Sequence, residues 1–480
     1  MDRIGKFLLP IFHSCLILLG LTLLVPAWSQ AAVTPVTGTI ASGFTFQEGE
    51  TYLVSGTVTM TGATTFEGGA VIKFDATGSL NVSTPIFSTT ASNRAVFTSK
   101  HDNSVGETVA GSTGSPSSYP NALTVANGTV RFIEVRYAAN AILFSGNGTL
   151  SVKDSEFLAT GTPVNASSSS GPATVNLVNL LIVQGTNGPV LADNGTNALT
   201  VNANNLTLAH LSGVGFNNTM TAAGSALNVA DSLFVDVQGA SVFAGTAPAT
   251  ENYNAFYQTP DNGTGANNVA LASDPLLTDW YLDQTSAAIN AGSQLPSAAG
   301  LYHYSTDANG AIEANSQVDI GYHAPPDINT FAIVATNSVF LDATTVLHSG
   351  NVAVNDIGPG PYLKPEASLY ISKEITTPAG VRLMGDSVRV NSAAVVASDV
   401  HYNSLNLIGT INGQQVTPLS HPVFDALPLF RSAQLGAAPA DVIVGAAQQV
   451  TLPPGEYNNI TVGKAGSIVF SGGTYHIGSL

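Results

Sequence analysis

Thiols and charge are what this sequence has least of. Cys15 is the only cysteine, and 14 Lys and Arg with 31 Asp and Glu make up just 9% of 480 residues. The Lys, Glu and Arg that normally coat soluble helices are missing, which argues against a mainly helical chain. Basic residues are the scarcer class. A net charge of −17 with no basic stripe repels a phosphate backbone, so nucleic acid is excluded as a partner. Long apolar runs are missing too beyond Val25: the best candidate, Val175 to Val183, is broken by Asn176 and Asn179. No membrane span is expected in the mature chain.

What stands at the front is an address. Asp2, Arg3 and Lys6 precede an apolar stretch from Phe7 to Val25, and small residues follow at Ala27, Ser29 and Ala31. That order reads as a secretory signal peptide over 1–31, cut after Ser29 or Ala31, with an uncleaved membrane anchor as the alternative that the short apolar core disfavours, and predicts a secreted or cell-surface protein. Cys15 would leave with it. The mature fold must then be held by packing and hydrogen bonds, without disulfides, thiol catalysis or cysteine-based metal sites.

Between about Thr129 and Phe234 one pattern recurs: two apolar residues at alternate positions, a polar residue two places on, then another apolar residue three places later. The first apolar positions are Val130, Leu150, Val175, Leu199 and Leu227, and the second are Phe132, Val152, Leu177, Val201 and Val229. The third are Tyr137, Phe157, Ile182, Leu206 and Phe234. Alternation buries one face of each strand, and repeats of this length suit one coil of a parallel β-helix whose core is a stack of like residues. A single coil cannot bury its own apolar face, so neighbours above and below must do it. Strands such as Thr57 to Met60, Val71 to Phe74 and Leu80 to Val82 would supply the first coils. The polar positions read Glu134, Asp154, Asn179, Ala203 and Asp231. They recur with the coil, which favours hydrogen-bonding corners over a catalytic or metal row.

The stretch Val96 to Pro116, VFTSKHDNSVGETVAGSTGSP, resembles part of a group of uncharacterised secreted bacterial proteins with right-handed parallel β-helix (pectin-lyase-like) repeats. Asp274 to Gly292, DPLLTDWYLDQTSAAINAG, is similar to the closing coils of that group, and Val318 to His323, VDIGYH, to its terminal motif. The resemblance implies an extracellular right-handed β-helix over 32–325. It carries no catalytic residues that transfer to this chain.

Pro325-Pro326-Asp327 marks a boundary, because paired prolines stiffen the chain and interrupt strand pairing. The second domain, 326–480, repeats near its end with an offset of 18 residues: Val450 with Ile468, Leu452 with Phe470, Gly455 with Gly473 and Tyr457 with Tyr475. It reads as a shorter-coiled β-solenoid whose edge at Leu480 calls either for a continuing polypeptide or for something else that covers it. The fold class expected is therefore all-β, a right-handed parallel β-helix followed by a second solenoid-like domain.

Chemistry is thinly signalled. His101, Asp102, Asn103 and Glu107 could bind a sugar or Ca²⁺ through their oxygens, although an ordered surface loop explains them as well. Ca²⁺ is the one ion considered; no cofactor and no metal site is otherwise expected, since the histidines form no closely spaced pair. Gly385-Asp386-Ser387-Val388 looks like an esterase nucleophile motif but lies between β-like segments, outside the strand-to-helix setting such a serine needs. A lyase would need a base beside an acidic ion site, and the nearest approach is Arg131, Lys153 and Asp154. The reading is of a secreted or cell-surface non-enzymatic solenoid acting as a structural, adhesive or glycan-binding protein, with extracellular polysaccharide or another surface component as partner. A polysaccharide lyase or other carbohydrate-active enzyme on the same scaffold is the alternative.

Overall fold

The computed structural model describes residues 33–41, 43–341, 345–355, 367–373, 375–425, 427, 440–453, 455–463, 465–470 and 475–479. The leader expected over 1–31 lies outside the described residues. The chain is nearly all-β, 48% strand and 2% helix, wound into a parallel β-solenoid of about 18 turns.

In the first solenoid, alternating apolar residues build two parallel sheets, 15-stranded and 10-stranded. Gly148–Leu158 pairs Ala173–Val183 in unbroken register on either side of the corner, Leu150 opposite Val175 and Phe157 opposite Ile182. The expected first coils are present as Thr57–Glu67, Val71–Phe74 and Ser79–Ser88. Val130, Leu150, Val175, Leu199 and Leu227 are all buried in one continuous core, each contributing about 1.5–3 kcal/mol of transfer free energy. Aromatic rings stack at the strand spacing, Phe46 on Phe66 at 4.9 Å and Phe234 on Phe256 at 5.1 Å.

The corners differ from expectation in two of five coils. Residues of positive φ recur at Phe132, Asp154, Asn179, Asn205, Asp231 and Tyr253, with a second row five residues later at Tyr137, Ala159, Gln184, His210, Asp236 and Gln258. Glu134 and Ala203 are not corners: Glu134 pairs with Glu156, and Ala203 is a buried ladder residue between Leu177 and Val229. The sequence pattern slips by two residues in those coils. Side chains alternate with period two, so such a slip keeps strand residues on their face, but it misplaces the corner and puts Phe132 and Tyr137, expected in the core rows, at corners.

After Val269–Ala270, the last strand paired to this stack, the chain stops coiling. The reason lies on the outside of the large sheet. There Leu158, Leu181, Val183, Ala209, Leu233, Val235 and Ala255 form an apolar stripe, and Leu282, Ala288, Ile320 and Tyr322 pack onto it as a second core. The segments similar to closing coils, Asp274 to Gly292 and Val318 to His323, thus form a strap laid over the coils, not further coils.

The second solenoid has shorter coils, on three parallel sheets over 331–416 and two more over 440–479. Arg382–Met384 pairs Asp399–His401 17 residues on, around Val352, Leu383, Val390, Val396 and Val400. Near the end Val450 faces Ile468 and Leu452 faces Phe470 at the 18-residue offset. In the neighbouring sheet the offset is 20, Gly455 opposite Tyr475 and Tyr457 opposite Ile477. Gly473 and Leu480 lie outside the described residues. Ser387 sits in the strand Ser387–Val390, where its amide donates to Ser368 Oγ at 2.9 Å, in an all-strand setting.

Candidate functional site

The strap is held by the corner row. Asp231 accepts from the Ser293 amide at 2.7 Å and the Ser293 hydroxyl at 2.6 Å, and its own carbonyl accepts from the Gly321 amide. One coil down, Thr207 Oγ1 accepts the Tyr322 amide at 2.8 Å. Below that, Asn179 Oδ1 accepts the His323 amide at 2.7 Å, while Asn179 Nδ2 donates to the His323 carbonyl at 2.9 Å and to Asp154 Oδ1 at 2.8 Å. Residues 321–323 therefore descend the stack one coil per residue. Gly321 fits because its φ is +116° and an added Cβ would stand 2.8 Å from Thr207 Oγ1. His323 Nε2 lies 3.2 Å from Glu313 Oε1, both side chains buried.

Where the apolar stripe gives way to polar residues, the strap meets Arg94. Its Nη2 lies 3.0 Å from Glu156 Oε1 and donates to Tyr322 Oη at 3.1 Å; its Nη1 donates to the Asp154 carbonyl at 2.9 Å. Tyr322 in turn donates to Glu156 at 3.1 Å. Burial opposes the Arg94 charge, yet Tyr322 and Glu156 hold it above its ordinary value. Burial pushes the Tyr322 phenol up and lifts the Asp154 carboxyl to about 6 against the Asn179 hydrogen bond.

This cluster floors a cleft of about 460 Å³, rimmed by Asp279, Trp280, Tyr281 and Asp327. Asp279 and Trp280 both hold positive φ, 62° and 68°, a backbone state that is unusual for a bulky side chain. The Trp280 ring lies 5.7 Å from that of His210. Burial raises the Tyr281 phenol, and the carboxylates of Asp279, Asp327 and Glu156 raise it further. A second chamber of about 380 Å³ adjoins the first, sharing Tyr281, Ser305 and Asp327, and runs on to His303, Asp307 and Arg382. It lies where the strap docks on the second solenoid: Tyr302 Oη donates to the Pro418 carbonyl at 2.8 Å, and His303 Nε2 lies 2.6 Å from the Ser420 carbonyl.

The residues singled out from sequence fall elsewhere. Arg131 and Lys153 are register partners on adjacent strands; Arg131 lies over the Phe132 ring, and Lys153 pairs with Asp425 at 3.3 Å. Asp154 follows Lys153 in sequence but turns inward to Asn179. In the loop after Ala95–Ser99, the buried Lys73 ammonium donates to the Asp102 and Glu107 carbonyls at 2.7 Å each. The Asp102 carboxylate accepts from Thr98, from the Ser104 amide and hydroxyl, and faces Arg136. His101 Nδ1 accepts the Thr113 amide at 3.0 Å, and Asn103 Oδ1 the Ser112 hydroxyl at 2.8 Å. These four residues are thus engaged in ordering their own loop.

Among the described residues, no group of three or more His, Cys, Asp or Glu converges as a metal site, and no helix is long and apolar enough to cross a membrane. Sequence reading missed Arg94, Glu156, Trp280, Asp279, Asp327 and His303 as residues of the clefts. Of these, Asp279 and Trp280 lie in a segment singled out by resemblance, and Asp327 in the boundary Pro325-Pro326-Asp327. No protein-family model, curated protein or solved structure matches this chain.

Proposed function

We propose that this chain is a secreted or cell-surface, non-enzymatic β-solenoid that serves as an adhesive, glycan-binding support, with the strap clefts as its glycan site. One observation carries the reading: a half-buried tryptophan at the rim of a mainly polar cleft, backed by side chains already tied to one another. Sugars present apolar C–H faces beside hydroxyls, and an aromatic ring with fixed polar neighbours suits both. The first sheet spans roughly 50 Å along its stack at the usual strand spacing, long enough to present such a site away from an anchoring surface.

The lyase alternative draws less support. A base must reach its substrate proton, whereas Lys153 is paired with Asp425 and Asp154 is buried. The test is incubation with insoluble neutral glycans and polyuronates, with and without Ca²⁺, following both retention and product release. Saturable retention without products is expected. Turnover abolished by Arg131→Ala or Lys153→Ala would reverse the reading, and absence of retention on any glycan would leave a protein-directed scaffold.

A further inference from the structure

Resting on the glycan-binding reading, we infer that the two strap clefts form one site selective for cationic, donor-rich sugars, namely oligosaccharides of unacetylated amino sugar. Four carboxylates, Glu156, Asp279, Asp307 and Asp327, line the chambers against two guanidiniums, Arg94 and Arg382. Only Arg94 is paired with a carboxylate of the clefts; Arg382 keeps its charge, and Asp279, Asp307 and Asp327 outnumber it three to one. Arg94 is spent on Glu156, Tyr322 and the Asp154 carbonyl, and Arg382 donates to the Gly310 carbonyl at 3.3 Å. The excess is negative and sits at the exposed rim, on Asp279 and Asp327. An anionic polyuronate would meet it unfavourably.

A second, independent feature points the same way. His303 is 6% exposed and lines the inner chamber. Its Nε2 faces a carbonyl, which can only accept, so Nε2 carries the proton and Nδ1 is a bare acceptor. That Nδ1 is buried without a hydrogen-bond partner among the described residues. A buried acceptor left alone is costly, and a ligand ammonium or hydroxyl would satisfy it. The carboxylates do not converge on one point as a metal ion requires, yet they surround a space of sugar size. Trp280 supplies the ring against which an ammonium-bearing sugar is held, by stacking and by cation–π attraction. A basic peptide shares the charge but gains less from a flat ring flanked by hydroxyl-matching Ser305, Thr306 and Asn329.

The test uses the full chain carrying Trp28→Phe, which leaves Trp280 as the only tryptophan and its fluorescence as the readout at about pH 6. Glucosamine hexamer is expected to shift the emission saturably. Asp279→Asn and Asp327→Asn should each weaken it about tenfold at low salt; Asn at 327 keeps the acceptor that caps the Asn329 amide. N-acetylglucosamine hexamer should bind about tenfold more weakly, and galacturonate hexamer should not bind. Equal binding of the acetylated or uronate oligomer, or insensitivity to both Asp variants, overturns the charge selection while glycan binding stands. Competition by hexalysine as strong as that of the amino sugar overturns the choice of a sugar. Retention on polysaccharide without any Trp280 response overturns this site alone, and loss of both overturns the parent reading.

Discussion

Acid should open the junction between strap and second solenoid. His303 and His401 are both held at a pKa of about 4, chiefly by burial. For His303, the neighbouring His421, His401 and Arg382 add to the depression and the Ser420 carbonyl opposes it. For His401, Arg382 lowers and Asp399 raises. Both shifts are downward from 6.5, so the docked state prefers neutral imidazole. Above pH 6.5 neither group affects opening. Between 6.5 and 4 the opened state binds protons that the docked state refuses, and stability is lost until the docked histidines themselves protonate. Two pH units inside that window amount to about 2.7 kcal/mol per histidine, roughly a hundredfold in the opening equilibrium. Asp154 runs the opposite way: its pKa is raised to about 6, so acidification from 6 toward its ordinary value favours the closed corner. Hydrogen exchange, corrected for intrinsic rates, should therefore show protection falling at 301–304 and 418–424 from pH 6.5 to 4.5, with none of that loss around 177–180 and 321–323. His303→Gln keeps a donor for the Ser420 carbonyl and removes the titration, and should cut the junction's loss by about a hundredfold. Equal loss in His303→Gln and wild type would refute the argument.

Three further perturbations separate the layers of the fold. Leu177→Asp puts a carboxylate into the closed core and should cost more than about 4 kcal/mol, abolishing soluble expression, whereas Val178→Asp on the outer face should stay within about 1 kcal/mol by chemical denaturation. Gly321→Ala should loosen the strap by about 1–3 kcal/mol through strain at positive φ, seen as faster proteolysis within 271–324 while the coil strands stay protected; unchanged cleavage would contradict the descent of the strap along the corner row. Lys73→Met retains the stem but orphans two carbonyls, and should cost about 2–4 kcal/mol with exchange rising across 101–113; no change there would mean that the loop is held otherwise.

How far the sequence shows this molecule depends on whether a feature repeats. Core strands are legible because each coil restates the same alternation, and Leu150, Val175 and Leu227 could be placed inward from spacing alone. Register is less legible. Ala203 was readable as a corner only because no neighbour indicates that Asn205, two places on, takes the positive φ instead. The 18-residue offset at Val450 and Ile468 survives in one sheet and becomes 20 in the next. Arg94, Trp280 and His303 belong to contacts made once, across 62 residues between Arg94 and Glu156 and more between His303 and Ser420, and no periodicity reports such contacts.

The position of the clefts follows from the outer face of the first sheet. Down one outward row run Glu134, Glu156, Leu181, Thr207, Leu233 and Ala255, and down the next Arg136, Leu158, Val183, Ala209, Val235 and Tyr257. Both rows turn from charged to mostly apolar within one coil of Glu156. The strap can bury apolar surface only beyond that point, and there it gains the second core around Leu233 and Ile320. Before it, covering Glu134 and Arg136 would desolvate charges without recompense. The strap must therefore leave the sheet at Glu156, and its exit, guarded by Arg94 and Tyr322, leaves a polar cleft between departing chain and remaining coils. On this argument the cleft should move with the stripe: Leu158→Glu with Leu181→Lys should release the strap one coil earlier, exposing 322–325 to protease and abolishing the Trp280 response, while the junction at His303 and Ser420 persists in hydrogen exchange. A strap that stays closed over those two charges would show that the corner bonds at Asn179 and Asp231, and not the apolar stripe, decide where it ends.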